Sequence, residues 1–124
     1  MKRLGSIERN NVNVGVYLVT TDELVSLKLN PYALAFCYKG DVYVSENFME
    51  LSKDTRSIIM EHEVAHAIGI DDEVEADKRA ILCYSIQTFK EAIRESYYFM
   101  NKFAKKDIAY VESKIQERIS LVCN

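Results

Sequence analysis

The feature that most restricts the fold of this chain is the run His62-Glu63-Val64-Ala65-His66, which contains both of its histidines. Residues four apart lie on the same face of an α-helix, so a helix through this run places the two imidazoles side by side. Glu63 projects about 100° away from His62 around the helix axis. The run therefore predicts a helix that presents two metal-binding rings with a carboxylate beside them.

Two imidazoles on one helix face, with a glutamate after the first, are typical of H-E-x-x-H zinc sites. In such sites the rings bind the ion, while the glutamate stays outside the coordination sphere and acts as a general base toward a bound water. We predict one Zn²⁺ ion held by His62 and His66, with Glu63 as the catalytic base. The alternative interpretation is a helix with two unrelated histidines, one in the core and one at the surface.

Tetrahedral zinc with a bound water needs a third protein ligand, and the chain has no third histidine. Gly69 is placed to end the first helix, and Asp71 or Asp72 to cap a second one. On that second helix, Glu73 and Asp77 are four residues apart and share a face. We predict Glu73 as the third ligand and Asp77 as an acceptor that orients a ligating histidine through its other ring nitrogen.

The residues after the histidine pair, Glu73-Val74-Glu75-Ala76-Asp77, read E-x-x-A-D. With this continuation the chain resembles the gluzincin branch of zinc metallopeptidases (zincins), and within it the small ImmA/IrrE-type peptidases. The resemblance covers about residues 62–80 and implies that Glu73 is the third zinc ligand. The segment from His66 to Glu73 is shorter than in most of those relatives. It also fits H-E-x-x-H-x-x-G-x-x-D, which makes Asp72 the alternative third ligand.

The residues before the motif predict strands, and together with the predicted helices they indicate an α+β fold. The length of 124 residues indicates a single domain, residues 1–124. Apolar residues alternate with others from 12 to 19, and two β-rich runs, 33–38 and 42–45, flank a turn at Lys39-Gly40-Asp41. We expect a small sheet of about three strands, antiparallel or mixed, packed on the metal-binding helix. The resemblance to zincins implies that residues 41–47 are the sheet edge that pairs with an extended substrate, and the alternative is an ordinary outer strand.

The half of the chain after Asp77 is predicted to be entirely helical, because apolar residues recur at helical spacing through residue 122. Thr88-Phe89-Lys90-Glu91 has the form of a capping box and predicts a helix start. A single helix over 88–122 is the alternative. The aromatic run Tyr97-Tyr98-Phe99-Met100 is interpreted as core or as an oligomer face rather than as a substrate pocket.

Together these features predict a zinc-dependent peptidase acting on a peptide or protein substrate, with Glu63 moving the proton from water to the leaving amine. Since no histidine is left to stabilise the oxyanion, Tyr84, on the face of Glu73 and Asp77, is the candidate donor. Two alternatives are an inactive zincin fold that uses zinc structurally and an assembly module that forms oligomers through its C-terminal helices.

Composition restricts the setting in which such a protein works. A net charge of −3 gives no reason to expect a nucleic-acid partner. No apolar run has the length of a membrane span or the form of a signal peptide. Three cysteines without paired spacing favour a reducing compartment. We therefore expect a cytoplasmic protein without a membrane or nucleic-acid partner.

Overall fold

The computed structural model describes residues 1–123 and has an α+β architecture. Within these residues the strands are β1 (Lys2–Arg9), β2 (Val12–Val19), β3 (Ala35–Tyr38) and β4 (Asp41–Ser45). The helices are α1 (Thr21–Ser26), α2 (Glu46–Met49), α3 (Lys53–Ala67), α4 (Glu73–Cys83), α5 (Ile86–Ala104) and α6 (Ile108–Cys123). The C-terminal half is helical, as predicted. No helix of the described part is both long enough and apolar enough to cross a bilayer.

The four strands form one mixed sheet in the order β1-β2-β4-β3. β1 and β2 are antiparallel, β4 runs parallel to β2, and β3 is antiparallel to β4. The parallel pair is possible because the chain returns through α1 and β3 before β4 begins; parallel neighbours need such a crossover. The prediction of a small mixed sheet is confirmed, except that it has four strands rather than about three.

The strand that the sequence did not predict is β1. Its side chains are mostly polar and exposed, so it lacks the apolar alternation by which a half-buried strand is recognised. It pairs with β2 through a turn at Asn10 and Asn11, whose φ angles of 52° and 63° are both left-handed. Asparagine tolerates this conformation, which two-residue hairpin turns require. The Asn-Asn pair is therefore the signal that reveals β1.

The predicted sheet edge at residues 41–47 is wrong. β4 pairs with β2 on one side and with β3 on the other, so it is an inner strand. Its residues Val42 and Val44 are buried in the cluster between sheet and helix. The last two residues of the predicted edge, Glu46 and Asn47, begin the short helix α2. The edge strand beside α3 is β3. An extended segment that adds to this side of the sheet would pair with β3.

Helix α3 lies between two apolar clusters and contributes to both. Val64 belongs to the cluster between sheet and helix, together with residues of β2, β4 and the segment after β4. Ile58 belongs to the cluster among the helices, whose other members lie on α4, α5 and α6. The histidine-bearing helix is therefore buried on two sides, and this double packing fixes the position of α3 relative to both halves of the fold.

The first helices begin at capping side chains, and the predicted end of the histidine-bearing helix at Gly69 is confirmed. Thr20 and Glu23 form a capping box at the start of α1. The side chain of Ser52 caps α3, which ends before Gly69, whose φ of 108° is left-handed. These ends could be predicted because each depends on a local hydrogen bond or on glycine at a left-handed position.

The predicted break at Thr88 is wrong by three residues. The hydroxyl of Ser85 accepts a hydrogen bond from the Thr88 amide at 3.0 Å, so Ser85 caps α5 and Thr88 lies in its first turn. The alternative of one helix over 88–122 is also wrong. The chain reverses after Ala104, where Lys105 has a φ of 52°, and α6 begins at Ile108.

Candidate metal centre

The turn between α3 and α4 brings three predicted ligands together. Gly69 and Ile70 close the end of α3: the Gly69 amide donates to the His66 carbonyl and the Ile70 amide to the Ala65 carbonyl, both at 3.0 Å. This pair of bonds is the Schellman pattern, which glycine permits because it adopts a left-handed φ. The chain then starts α4 after two residues, so that Glu73, its first residue, lies beside the last turn of α3.

The three side chains converge within the spacing that a single ion requires. His62 Nε2 lies 3.1 Å from His66 Nε2 and 3.1 Å from one Glu73 oxygen, and the other Glu73 oxygen lies 2.9 Å from His66 Nε2. Zinc–ligand bonds of about 2.0–2.2 Å place tetrahedral ligands roughly 3.4 Å apart. The observed separations are a few tenths of an ångström shorter. A small movement of the side chains would therefore let both Nε2 atoms and one Glu73 oxygen face the same ion.

The hydrogen bonds of the two imidazoles determine which ring nitrogen faces the centre as an acceptor. The Nδ1 atom of His66 lies 2.6 Å from the Ile70 carbonyl, which can only accept, so Nδ1 carries the proton. The Nδ1 atom of His62 lies 2.7 Å from Asp77 Oδ1 and donates to that carboxylate. In the neutral rings both Nε2 atoms therefore present lone pairs to each other and to the Glu73 carboxylate. Such a set of acceptors can hold a cation between them.

Asp77 is the most strongly held residue of the site. Its side chain is 4% exposed, and Arg118 donates to both of its oxygens, from Nε at 2.9 Å and from Nη2 at 2.8 Å. Burial alone would raise the pKa of the Asp77 carboxyl, but the hydrogen bonds from Arg118 and His62 outweigh it and hold this pKa at about 2. Asp77 is therefore ionised and orients His62, the role predicted for it.

Arg118 is the residue of this site that sequence reasoning missed. It lies on α6, 41 residues after Asp77, and no local motif links the two positions. The guanidinium lies over the ring of Tyr97, 5.8 Å from the ring centroid. The one available signal was an arginine at an otherwise apolar face of the last helix, next to the buried Ile119.

Glu63 lies next to the three converging residues without joining them. Its side chain is 15% exposed, and Oε1 is 3.9 Å from His62 Nε2. Burial raises the pKa of the Glu63 carboxyl, and the nearby imidazoles offset this only in part. A carboxylate with a raised pKa is better matched to proton transfer near neutral pH than an ordinary glutamate.

Two of the predicted site residues are not brought to this centre. The Asp72 side chain caps α4 by accepting the Glu75 amide at 2.9 Å, and it is Glu73 that faces the histidines. Tyr84 ends α4 and lines a different depression, beside Met60. That depression includes none of His62, Glu63, His66 and Glu73. The role of Tyr84 as oxyanion donor stays a prediction.

A cavity of about 490 Å³ opens beside the candidate metal centre. It is bounded by α3, α5, α6 and the residues at the start of β3, and His62, Glu63 and Glu73 line it. Tyr97 and Met100 also line it. Tyr97 and Tyr98 pack against the cluster among the helices and Phe99 against the cluster at the sheet, which agrees with the interpretation of this run as core. Comparisons with protein-family models, with curated proteins and with solved structures gave no match to this chain.

Proposed function

We propose that this chain is a zinc-dependent metallopeptidase that hydrolyses peptide bonds with a metal-activated water. The observation that carries the proposal is the convergence of His62, His66 and Glu73. The ring protons of both imidazoles are directed elsewhere, so two Nε2 atoms and one carboxylate remain as acceptors. Three protein ligands are the number that catalytic zinc sites use, since the fourth position is kept for water or substrate.

The donor set fits Zn²⁺ in type as well as in spacing. Two imidazole nitrogens and one carboxylate oxygen are ordinary zinc ligands, and the Glu73 side chain, 76% exposed, lies on the open side of the centre. Bound there, zinc would supply a water of lowered pKa and would polarise the substrate carbonyl. Asp77 and Arg118 would hold the His62 ring in the ligating orientation.

The residues of the chain itself would perform the proton transfers. Glu63 would accept the proton of the attacking water and deliver it to the leaving amine, for which its raised pKa and its place beside the ligand atoms suit it. Tyr97 is proposed as the oxyanion donor in preference to Tyr84, because it lines the same cavity as His62 and Glu63. The apolar walls of the cavity would keep bulk water from the reacting bond.

The alternative is a fold that binds zinc only for structure. A structural zinc site is normally closed by four protein ligands. Among residues 1–123, only these three side chains group closely enough to hold an ion, and an open cavity lies beside them. The ligand number and the cavity therefore favour the catalytic proposal.

Metal analysis and peptide cleavage by four proteins test the proposal. We expect the wild type to bind one zinc and to cleave peptides, Glu63→Gln to keep the zinc without activity, and Glu73→Ala to lose zinc affinity. Glu75→Ala is the matched control, since this exposed residue lies on the same helix and its carboxylate pairs with Lys78. Equal zinc content in the Glu73→Ala and Glu75→Ala proteins would reject the ligand set. Zinc binding without cleavage in the wild type would reject the peptidase.

A further inference from the structure

The part of the cavity nearest the core is apolar. Ile58, Ile93 and Val111, which are almost fully buried, line it together with Met100 and Ala104. The volume of about 490 Å³ falls in the range of small-ligand sites, roughly 300–1,000 Å³. This wall can therefore take an apolar side chain of a bound peptide, next to the candidate metal centre.

The lining of the cavity also includes two lysines. Lys106 and Lys114 line it, and they come from the hairpin that connects α5 to α6 and from the second turn of α6. The hairpin segment 102–107 contains three lysines and one aspartate, a net charge of +2, in a chain whose net charge is −3. The one carboxylate in it, Asp107, is occupied as an acceptor for the Ala109 amide. The segment 102–107 is therefore a positively charged part of an acidic protein.

The lysines differ in how far their charge is compensated. Lys114 pairs with Glu117 at 3.4 Å, in an exposed pair of the kind that contributes little. Lys106 takes part in none of the ion pairs found within residues 1–123. Its ammonium group is free to meet an anionic group of a ligand.

The backbone of the hairpin is held in place by one side chain. Asn101 donates from Nδ2 to the Lys106 carbonyl at 3.1 Å and accepts the Lys106 amide through Oδ1 at 2.8 Å. The Lys105 amide donates to the Asn101 carbonyl at 2.9 Å, which closes α5. Because these bonds fix the hairpin before any ligand arrives, little ordering of the backbone is needed on binding.

We propose that Lys106 in the α5–α6 hairpin and Lys114 on α6 make this cavity selective for peptides with an apolar side chain beside the scissile bond and an acidic residue next to that side chain. The apolar side chain contacts the wall formed by Ile58, Ile93 and Val111. The acidic residue contacts Lys106 and Lys114. This selectivity rests on the proposed peptidase function, whose substrate class it defines.

The test uses two pools of short blocked peptides that share a central apolar residue. One pool carries Asp and Glu on either side of it, and the other carries Lys and Arg. For the zinc-loaded wild type we expect kcat/KM to be on the order of tenfold higher with the acidic pool at low salt, and the difference to shrink at high salt. Reversing both charges, with Lys106→Glu and Lys114→Glu, reverses the preference.

The matched control reverses two lysines of the same hairpin that do not line the cavity, Lys102→Glu and Lys105→Glu. It changes the net charge equally and should keep the acidic preference. If both double variants lose the preference alike, the selectivity comes from overall charge and the inference is overturned. The inference is also overturned if the wild type cleaves both pools equally. In that case the peptidase proposal still stands.

Binding of the same peptides to zinc-loaded Glu63→Gln, measured by fluorescence anisotropy, separates the two proposals. We expect the acidic pool to bind more tightly and the Lys106/Lys114 reversal to invert that order. Charge-selective binding without any cleavage by the wild type would overturn the peptidase proposal and keep the selectivity of the cavity. Binding and cleavage that are both absent would overturn both.

Discussion

Arg118 donates two hydrogen bonds to the carboxylate of Asp77, from a helix that begins 25 residues after α4 ends. Asp77 in turn accepts the Nδ1 proton of His62. The last helix is thereby connected through one carboxylate to the centre of the histidine motif. The helical C-terminal half contributes to the site as well as to the core.

This connection predicts that Arg118→Ala weakens zinc binding without removing a ligand. Asp77 would stay buried but lose two charged donors, and the orientation of His62 would loosen. We expect a loss of zinc affinity of about 10- to 100-fold, the usual effect of residues that support a metal ligand. Chelator competition measures it. Arg94→Ala is the control, since Arg94 forms a comparable pair with Glu112 at the surface.

Arg118→Lys distinguishes positioning from simple charge. A lysine keeps the positive charge but cannot donate in the paired geometry of a guanidinium. We expect only partial recovery of zinc affinity relative to Arg118→Ala. Full recovery would mean that charge alone matters, and an unchanged affinity in Arg118→Ala would contradict the positioning role. Circular dichroism checks that each variant is folded.

A second prediction concerns the proposed oxyanion donor. Tyr97→Phe removes one hydroxyl from the cavity and should lower kcat by about 100-fold, with little change in KM or zinc content. Tyr84→Phe makes the same chemical change on α4, away from the cavity, and should leave kcat near the wild-type value. A larger loss in Tyr84→Phe than in Tyr97→Phe would support the assignment made from sequence.

A third prediction tests the junction between β2 and β4. The Gly15 amide donates to Asp41 Oδ1 at 2.9 Å, and a Cβ atom at Gly15 would lie 2.9 Å from that same oxygen and 3.0 Å from the Tyr17 ring. Gly15→Ala should therefore destabilise the fold by roughly 1–3 kcal/mol. Urea unfolding measures this. In an Asp41→Ala background, Gly15→Ala should lower the free energy of unfolding by a smaller amount. An equal loss in both backgrounds would contradict the proposed clash.

A fourth prediction concerns how Glu95, which is not among the residues of the candidate metal centre, makes the stability of the fold depend on pH. Glu95 on α5 accepts hydrogen bonds from the Ser52 amide and hydroxyl and from the Thr55 hydroxyl, at the start of α3. Burial acts to raise the pKa of the Glu95 carboxyl, but these hydrogen bonds outweigh it and the net shift is downward. A lowered pKa means that its stabilisation is present above the ordinary glutamate value of 4.5 and is lost as the pH falls through the lowered one.

Glu95→Gln should therefore reduce stability at neutral pH, by about 1 kcal/mol, and should reduce the loss of stability on acidification. Thermal unfolding at a series of pH values gives both quantities. Glu91→Gln, an exposed position on the same helix, is the control. Parallel pH profiles for the wild type and Glu95→Gln would contradict this role of Glu95.

The parts of the fold that sequence predicted are those with a local cause. Ser52 and Gly69 mark the ends of α3 because a hydroxyl and a left-handed glycine act within one turn. The spacing of His62 and His66 likewise depends only on the helix period. Glu73 lies close to both imidazole rings because the connection between α3 and α4 is short. The Schellman turn at Gly69 leaves few residues between the two helices.

The parts that sequence did not predict depend on distant neighbours. β1 is polar, and its pairing with β2 is visible only through the Asn10-Asn11 turn. Tyr97 reaches the cavity because α5 packs against α3, and no local feature of the sequence distinguishes it from Tyr84 in this respect. Arg118 approaches Asp77 because α6 packs against α4, which no periodicity in either helix specifies.

X-ray absorption spectroscopy of the zinc-loaded protein measures the central feature most directly, the set of atoms that bind the ion. We predict one zinc per chain, with two imidazole nitrogens at about 2.0–2.1 Å and oxygen ligands at about 2.0–2.2 Å. In the Glu73→Ala protein one oxygen ligand should be lost or replaced by water while both imidazoles remain. Sulfur at about 2.3 Å, or fewer than two imidazoles in the wild type, would contradict a centre built from His62, His66 and Glu73.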